Sequence, residues 1–139
     1  MGHDAVEIDF VMPWVDGSDP AWREEFLKYR ALQAPQGEPA CDTGMAAGAV
    51  DASEERYRDW DTLRYWFRGV ERFAPWVNRI HFITWGHLPA WLDTAHPKLH
   101  VVRHADYIPS PYLPTFNSCP IELNMHRIEG LAEHFVYFN

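Results

Sequence analysis

IDFVMPWVDGSDP, residues 8–20, is the most informative stretch of this 139-residue chain. Residues 8–15 are continuously apolar apart from Asp9, which is typical of a buried β-strand. The strand then breaks into a turn that brings two carboxylates and backbone N–H groups to its carboxyl end. Ligands of open α/β sheets bind at that edge. The turn is therefore a candidate binding site.

The turn places Asp16 and Asp19 on either side of Gly17 and Ser18. An aspartate at a strand end can hold a ribose hydroxyl or a metal-bound phosphate, and a neighbouring glycine lets a ligand approach the backbone. A structural alternative is also open. It is an Asx-type turn in which Asp19 caps a helix that starts at Pro20.

A second informative stretch is LPTFNSCPIELNMHRI, residues 113–128, in which we predict a helix from about Cys119 to Ile128, capped by Gly130. The helix N-terminus would attract phosphate through its N–H groups and dipole. Glu122 and His126 lie four residues apart and hence on one helix face. Such a pair orients an imidazole as a base, binds a metal, or makes a simple surface hydrogen bond. The candidate site residues here are Asn117, Ser118, Glu122, His126 and Arg127.

The remaining segments complete an α/β pattern. We predict helices at about 20–32 and 59–73, strands at 79–84, 99–103 and from Phe135 onward, and a helical turn at 89–92. Residues 34–53, rich in Gly, Ala, Pro and Asp, are predicted to form a flexible loop. Pro109, Pro111 and Pro114 predict an extended connector. This order favours an α/β sandwich around a mostly parallel sheet.

Composition and charge narrow the function classes. The net charge of −8 argues against general binding to DNA or RNA. No apolar run approaches the length of about 20 residues that a membrane helix needs, and no signal peptide is visible. A cytoplasmic setting is the default expectation. Five further histidines lack metal-ligand spacing and are interpreted as structural or surface residues: His81, His87, His96, His100 and His104.

Three segments carry a family resemblance. IDFVMPWVDGSDP, LRYWFRGVERFAPWVNRIHFITWGHLPAWL and YLPTFNSCPIELNMHRIEGLAEHFVYFN closely resemble the first two conserved regions of the Stealth family. That family comprises bacterial capsular polysaccharide phosphotransferases and the animal N-acetylglucosamine-1-phosphotransferase of lysosomal enzymes. The resemblance covers nearly the whole chain apart from residues 34–53. It implies a Rossmann-like, nucleotide-sugar transferase-like α/β domain, of which residues 1–139 form an incomplete, N-terminal part.

The resemblance also implies an activity. It is the transfer of a hexose-1-phosphate, such as N-acetylhexosamine-1-phosphate, from a UDP-sugar donor to a glycan hydroxyl. A phosphodiester and UMP result, with Mg²⁺ (or Mn²⁺) assisting, in capsule or exopolysaccharide synthesis. The protein would act in the cytoplasm, with peripheral association with inner-membrane capsule machinery as an open alternative.

Site residues carry over by position. Trp14, Asp16, Gly17, Ser18 and Asp19 fall in the nucleotide-sugar loop. The second region contains Arg64, Asn117, Ser118, Glu122, His126 and Arg127. Our hypothesis is that Arg64 and Arg127 hold phosphate, Asn117 and Ser118 contact donor or acceptor, and Glu122 orients His126.

Two departures from the family pattern limit these expectations. Members often carry His where this chain has Cys119. In the family, FVYFN runs directly into an Asp-Asp pair thought to bind metal, whereas this sequence ends at Asn139. We therefore expect the full-length parent protein to be an enzyme and this 139-residue chain to be inactive on its own. Two alternatives stay open: a non-catalytic nucleotide-sugar binding module, and a metal-dependent glycosyltransferase that releases UDP.

Overall fold

The computed structural model describes residues 6–33, 57–58 and 60–138. Four parallel strands form one sheet in the order β3-β2-β1-β4. Their bounds are Ile8–Pro13 (β1), Ile80–Thr84 (β2), Leu99–Arg103 (β3) and His134–Tyr137 (β4). The predicted α/β architecture with a parallel sheet is confirmed. The predicted loop at 34–53 lies outside the described residues.

The two longest helices among the described residues are α1, Pro20–Gln33, and α2, Leu63–Phe73. Helix α2 starts later than the predicted residue 59. The cause is Asp61, which has a φ of 55°, a left-handed conformation that an α-helix cannot include. Strand β1 likewise ends at Pro13, before the predicted Val15, although the Trp14 N–H still donates to the Ile83 carbonyl at 2.9 Å.

The predicted helix over 119–128 is wrong in one respect: it is two short pieces. Helix α4 spans Ser118–Leu123, and a 3₁₀ turn follows at Met125–Arg127. Between them lies Asn124, whose side-chain amide donates to the Pro120 carbonyl at 2.8 Å. In a continuing helix this carbonyl would accept from the backbone N–H of Asn124. The asparagine side chain competes with that backbone hydrogen bond, and the helix ends.

The segment after β3 also differs from the prediction. A four-residue helix, α3 (His104–Tyr107), follows directly, and a 3₁₀ turn at Ser110–Tyr112 replaces part of the predicted extended connector. The Arg103 N–H donates to the Asp106 carboxylate at 2.7 Å, which closes the first turn of α3. Elements this short carry too little hydrophobic periodicity to be predicted. The predicted turn at 89–92 is confirmed by a Leu92 N–H to Pro89 carbonyl hydrogen bond of 3.0 Å.

Core side chains cover both faces of the sheet. One face packs β1, β2 and β3 against the α3–α4 region through Val11, Ile83, Val102, Tyr107, Ile108, Met125 and Ile128. The other packs against α2 and the segment after it through Phe10, Val70, Ala74, Val77 and Ile80. A third cluster of Trp22, Phe26 and Phe116 joins α1 to the segment that precedes α4. This third cluster holds the two informative sequence stretches together.

A buried polar network lies near the amino end of β1, away from the turn. Asp9 and His81 are fully buried, with Asp9 Oδ2 2.8 Å from His81 Nε2. Asp9 also accepts from the Asn78 amide at 2.8 Å and from the Ala132 N–H at 2.9 Å. Burial alone would raise the pKa of Asp9, but these donors hold it below its ordinary value. The one polar residue of the predicted strand is therefore satisfied as a carboxylate.

Candidate functional site

The candidate site lies where β1 and β2 end, and it is built from the loops that follow them. Trp14 leaves β1 half-buried and stacks on Phe82 of β2 with ring centroids 5.8 Å apart. The same ring also meets the imidazole of His87 edge-on, with ring centroids 5.1 Å apart. The Trp14 ring thus fixes how the two loops sit on the sheet edge.

The turn over residues 16–19 is held by its own side chains. Asp16 Oδ1 accepts from both the N–H and the hydroxyl of Ser18, at 2.8 and 2.6 Å. Asp19 Oδ1 accepts from the Trp22 N–H at 2.8 Å, as a helix N-cap does. The structural alternative is therefore confirmed: an Asx turn followed by a capped helix. It accounts for Asp19, and for one of the two carboxylate oxygens of Asp16.

Position 17 requires glycine because the backbone of Tyr57 approaches it closely. The Gly17 N–H donates to the Tyr57 carbonyl at 2.9 Å, and an added Cβ would lie 2.5 Å from that oxygen. We expected the glycine to make room for a ligand. The structure explains the glycine differently, because Tyr57 occupies the space that a Cβ at position 17 would need.

Tyr57 connects the two informative stretches, a role that we do not predict from the sequence. Its carbonyl binds Gly17, while its hydroxyl donates to the Phe116 carbonyl at 2.7 Å. Its ring packs against Trp22 and Phe26 of α1 at centroid distances of 4.8 and 5.3 Å. A lone tyrosine outside any periodic segment gave no sequence signal for this role.

A cavity of about 400 Å³ opens beside the turn. The predicted site residues in its lining are Asp16, Gly17 and Ser18. The other lining residues are Trp22, Arg23, Phe26, Leu27, Tyr57 and Arg58. We call this space the turn cavity. It combines a carboxylate, two guanidinium groups and aromatic rings within one concave surface.

The predicted residues of the second stretch lie next to this cavity's scaffold but not in its lining. Asn117 caps α4, its side chain accepting from the Cys119 N–H at 3.0 Å. Ser118 is the first residue of α4. Phe116, immediately before them, packs on α1 against Tyr29, with centroids 5.3 Å apart. Packing of Phe116 thus brings Asn117 and Ser118 toward the turn.

Glu122 and His126 have separate partners. Glu122 Oε1 accepts from the Tyr137 hydroxyl at 3.0 Å, whereas His126 Nδ1 lies 3.0 Å from the Leu123 carbonyl. The interruption at Asn124 removes the helical geometry on which their predicted pairing rested. Since a carbonyl only accepts, Nδ1 of His126 carries the proton, which leaves Nε2 of a neutral ring as a base. His126 and Arg127 are both exposed.

Arg64 lines a second, separate cavity of about 520 Å³ between α2 and the segment that precedes β3. Its guanidinium is 3.2 Å from Asp61 and lies 5.7 Å from the centre of the Trp91 ring. The two cavity linings share no residue among those described. The structure therefore does not place Arg64 with Asp16.

His87 is the second residue whose contribution to the turn we do not predict from the sequence. Its Nε2 accepts from the backbone N–H of Asp16 at 2.8 Å. We interpreted this residue as structural or surface on the basis of spacing alone. A usable signal was present: residue 87 follows β2 as residue 16 follows β1, and parallel neighbours present their carboxyl ends at the same edge.

Within residues 6–33, 57–58 and 60–138, no group of three or more His, Cys, Asp or Glu side chains is arranged to hold a metal ion. Likewise, no helix in the described part of the chain is long and apolar enough to cross a membrane.

Comparison with known proteins agrees with the sequence resemblance. Stealth protein conserved region 1 matches residues 6–32, and Stealth protein conserved region 2 matches residues 56–139. The second match ends with β4 and includes Tyr57, α2, the loop of His87 and α4. The first contains β1, the turn and most of α1. The two matches therefore contain every element that builds the site.

Curated relatives carry related names. The chain is 55% identical over 132 residues to the capsular polysaccharide phosphotransferase WcwK of Streptococcus pneumoniae, covering 95% of this chain and 36% of the relative. It is 47% identical over 139 residues to the receptor polysaccharide phosphotransferase WefC of Streptococcus oralis, covering 96% of this chain and 37% of the relative. It is 48% identical over 135 residues to the capsular polysaccharide phosphotransferase CpsJ of Streptococcus thermophilus, covering 95% of this chain and 51% of the relative. The chain thus spans about a third to a half of each relative's length, and it belongs to the Stealth protein family.

Proposed function

We propose that this chain forms the donor-binding part of a phosphotransferase that moves a hexose-1-phosphate from a UDP-sugar to a glycan hydroxyl in capsule or exopolysaccharide synthesis. The observation that carries the proposal is the turn cavity at the carboxyl end of β1. The proposal is also supported by the relatives named above, which are polysaccharide phosphotransferases. The chain alone is proposed to be inactive.

The turn cavity has the chemistry that a nucleotide diphosphate needs. Arg23 and Arg58 supply positive charge for a diphosphate, and Asp16 can accept from a ribose or sugar hydroxyl. Within the described residues, Asp16 Oδ2 has no protein hydrogen-bond partner, since Ser18 binds Oδ1. The cavity's volume of about 400 Å³ falls in the range of small-molecule sites.

The reaction itself must break the bond between the two phosphates. The acceptor hydroxyl oxygen attacks the phosphorus that carries the sugar, the bridge to the nucleotide phosphate breaks, and UMP leaves. The hydroxyl proton has to be taken by a base, and the charge on the phosphates has to be neutralised. The products are a sugar phosphodiester of the acceptor and UMP.

His126 is the base we propose for that proton. Its Nδ1–H is held by the Leu123 carbonyl, so the ring has a fixed tautomer with Nε2 exposed to a substrate. Arg127, the next residue, is proposed to neutralise phosphate charge. Glu122 is proposed to support the site indirectly, because its hydrogen bond with Tyr137 connects α4 to β4.

Several of the remaining predicted roles continue as proposals. Asn117 and Ser118 are proposed to contact donor or acceptor at the start of α4. Arg64, which lines the other cavity, is a weaker candidate for the donor phosphates than Arg23. Association of the parent with membrane-bound capsule machinery also stays a prediction.

A divalent ion, Mg²⁺ or Mn²⁺, is expected from the family resemblance. The described residues by themselves do not fit it, because they contain no cluster of three suitable ligands. We therefore assign no metal ligand within this chain and derive no step through a metal.

Product analysis tests the proposal. A protein of the relatives' length that contains these residues would be incubated with a UDP-N-acetylhexosamine and a polysaccharide acceptor, and the released nucleotide identified. Release of UMP with a phosphodiester-linked product supports the proposal. Release of UDP would instead identify a glycosyltransferase, and binding without either product would identify a binding module.

A further inference from the structure

We propose that His87 is the positioning residue of the donor turn: its neutral ring, protonated on Nδ1, accepts the Asp16 N–H and sets the shape of the turn cavity. The inference rests on the proposed function only for the identity of the ligand. The hydrogen bond and its effect on the turn can be tested without any ligand.

The geometry fixes the protonation state of the ring. A backbone N–H can only donate, so Nε2 of His87, 2.8 Å from the Asp16 nitrogen, must carry a lone pair. A protonated imidazolium has no such lone pair and would repel this N–H. The ring is therefore neutral, with its proton on Nδ1.

The loop of His87 is itself fixed on β2. The Thr84 hydroxyl donates to the His87 carbonyl and accepts from the Gly86 N–H at 3.1 Å. Thr84 is fully buried, and the imidazole packs edge-on against Trp14. The acceptor nitrogen is thus held in place from two sides, by β2 and by the ring that leaves β1.

The second ring nitrogen suggests that the residue does more than fill space. Nδ1 of His87 is buried, and no residue in the described ranges accepts its proton. An unsatisfied buried donor has a free-energy cost of roughly the size of a hydrogen bond. His87 therefore holds the Asp16 N–H with one ring nitrogen while the other ring nitrogen stays unsatisfied.

Burial and the neighbouring carboxylates act on the pKa of His87 in opposite directions. Burial lowers its pKa below the ordinary value, and the carboxylates of Asp19 and Asp16 oppose that shift. His104, the buried first residue of α3, lies close enough that a charge on His87 disfavours its protonation. Near neutral pH these influences leave the ring in the form that the Asp16 N–H requires.

Two His87 variants separate acceptor chemistry from packing. His87→Gln keeps an oxygen acceptor for the Asp16 N–H, whereas His87→Phe keeps a ring against Trp14 and loses the acceptor. His96 supplies the matched control, because its Nδ1 accepts from the Lys98 N–H at 3.2 Å at an exposed position. His96→Phe removes a comparable hydrogen bond away from the turn.

The decisive measurement is nuclear magnetic resonance of the ¹⁵N-labelled, ligand-free chain. We expect a nitrogen–nitrogen coupling across the hydrogen bond from Asp16 to His87 Nε2, with the proton on Nδ1. We also expect His87→Phe, but not His87→Gln or His96→Phe, to shift the amides of residues 16–18 and speed their exchange. A proton on Nε2, or unchanged turn amides in His87→Phe, would overturn the proposal.

A titration with UDP then keeps the two proposals apart. If the wild-type chain binds UDP, His87→Phe should bind about ten-fold more weakly and His87→Gln nearly as well as wild type. Equal binding by His87→Phe would contradict the positioning role. If the wild-type chain binds no UDP, the proposed function fails, and the coupling and amide shifts still decide the role of His87.

Discussion

The N–H of Gly17 and the carbonyl of Tyr57 form a 2.9 Å hydrogen bond that leaves no space for a side chain between them. Through this contact the turn after β1 is tied to a residue whose hydroxyl reaches Phe116, just before α4. The two stretches singled out from sequence thus meet through a third residue. Tyr57 also lines the turn cavity beside Gly17.

Gly17→Ala tests that contact. The added Cβ would meet the Tyr57 carbonyl at 2.5 Å, so the turn or Tyr57 must move. We expect a loss of about 1–3 kcal/mol in the free energy of unfolding, measured by urea denaturation. Gly69→Ala is the control, because a Cβ in α2 meets nothing within 4 Å and should stabilise by about 0.5–1 kcal/mol. Equal effects of the two variants would contradict this view of Gly17.

Tyr57→Phe tests the link to the second stretch. It removes the hydroxyl donor to Phe116 while keeping the ring on α1, so we expect a loss of about 0.5–1.5 kcal/mol in stability. The amide resonances of Asn117 and Ser118 should shift. Tyr112→Phe, at an exposed tyrosine, should leave both stability and these resonances unchanged. Unshifted amides in Tyr57→Phe would show that the hydroxyl does not hold the segment.

Double-mutant cycles test the partner of Glu122. Burial and the Glu122 carboxylate raise the pKa of Tyr137, so its phenol stays protonated and donates. Glu122→Leu, which keeps no acceptor, with Tyr137→Phe should show a coupling of about 0.5–1.5 kcal/mol in unfolding free energy. Glu122→Leu with His126→Gln should show a coupling near zero. The reverse result would restore the continuous helix predicted from sequence.

His104 predicts a dependence of stability on pH. Burial lowers its pKa to about 4, from the ordinary 6.5. Between these values the unfolded chain binds more protons than the folded chain, so stability is complete above about pH 6.5 and falls toward pH 4. The contribution is roughly 3 kcal/mol. His104→Gln should flatten the pH profile of urea unfolding in this range relative to wild type. His96→Gln, at an exposed site, should keep the wild-type slope, and a loss of slope there instead would contradict the assignment.

The sequence was sufficient for the parallel sheet and for the turn that follows β1. The apolar runs around Phe10 and Phe82 are long enough to identify strands, and the turn at Asp16 follows from strong local signals. The same local signals identified Asp19 as a helix cap. These features depend on residues close to one another in the chain, which is why sequence reasoning could reach them.

Features that depend on distant contacts could not be predicted in this way. The break at Asn124 comes from a side chain that takes the Pro120 carbonyl, an outcome that helical spacing does not distinguish from a continued helix. Tyr57 and His87 act on the turn across the fold, at contacts that only the strand order and packing create. Arg64 was assigned to phosphate by position and lies in another cavity.

The most direct test of the central claim is a ¹⁵N-resolved titration of this chain with a UDP-N-acetylhexosamine. We predict that shifts concentrate at residues 16–18, Arg23 and Tyr57. They should weaken strongly in Asp16→Asn but not in Asp93→Asn, which alters an equivalent exposed turn. Shifts that concentrate instead around Arg64 and Trp91, or no shifts at saturating donor, would contradict the claim that the turn cavity binds the donor.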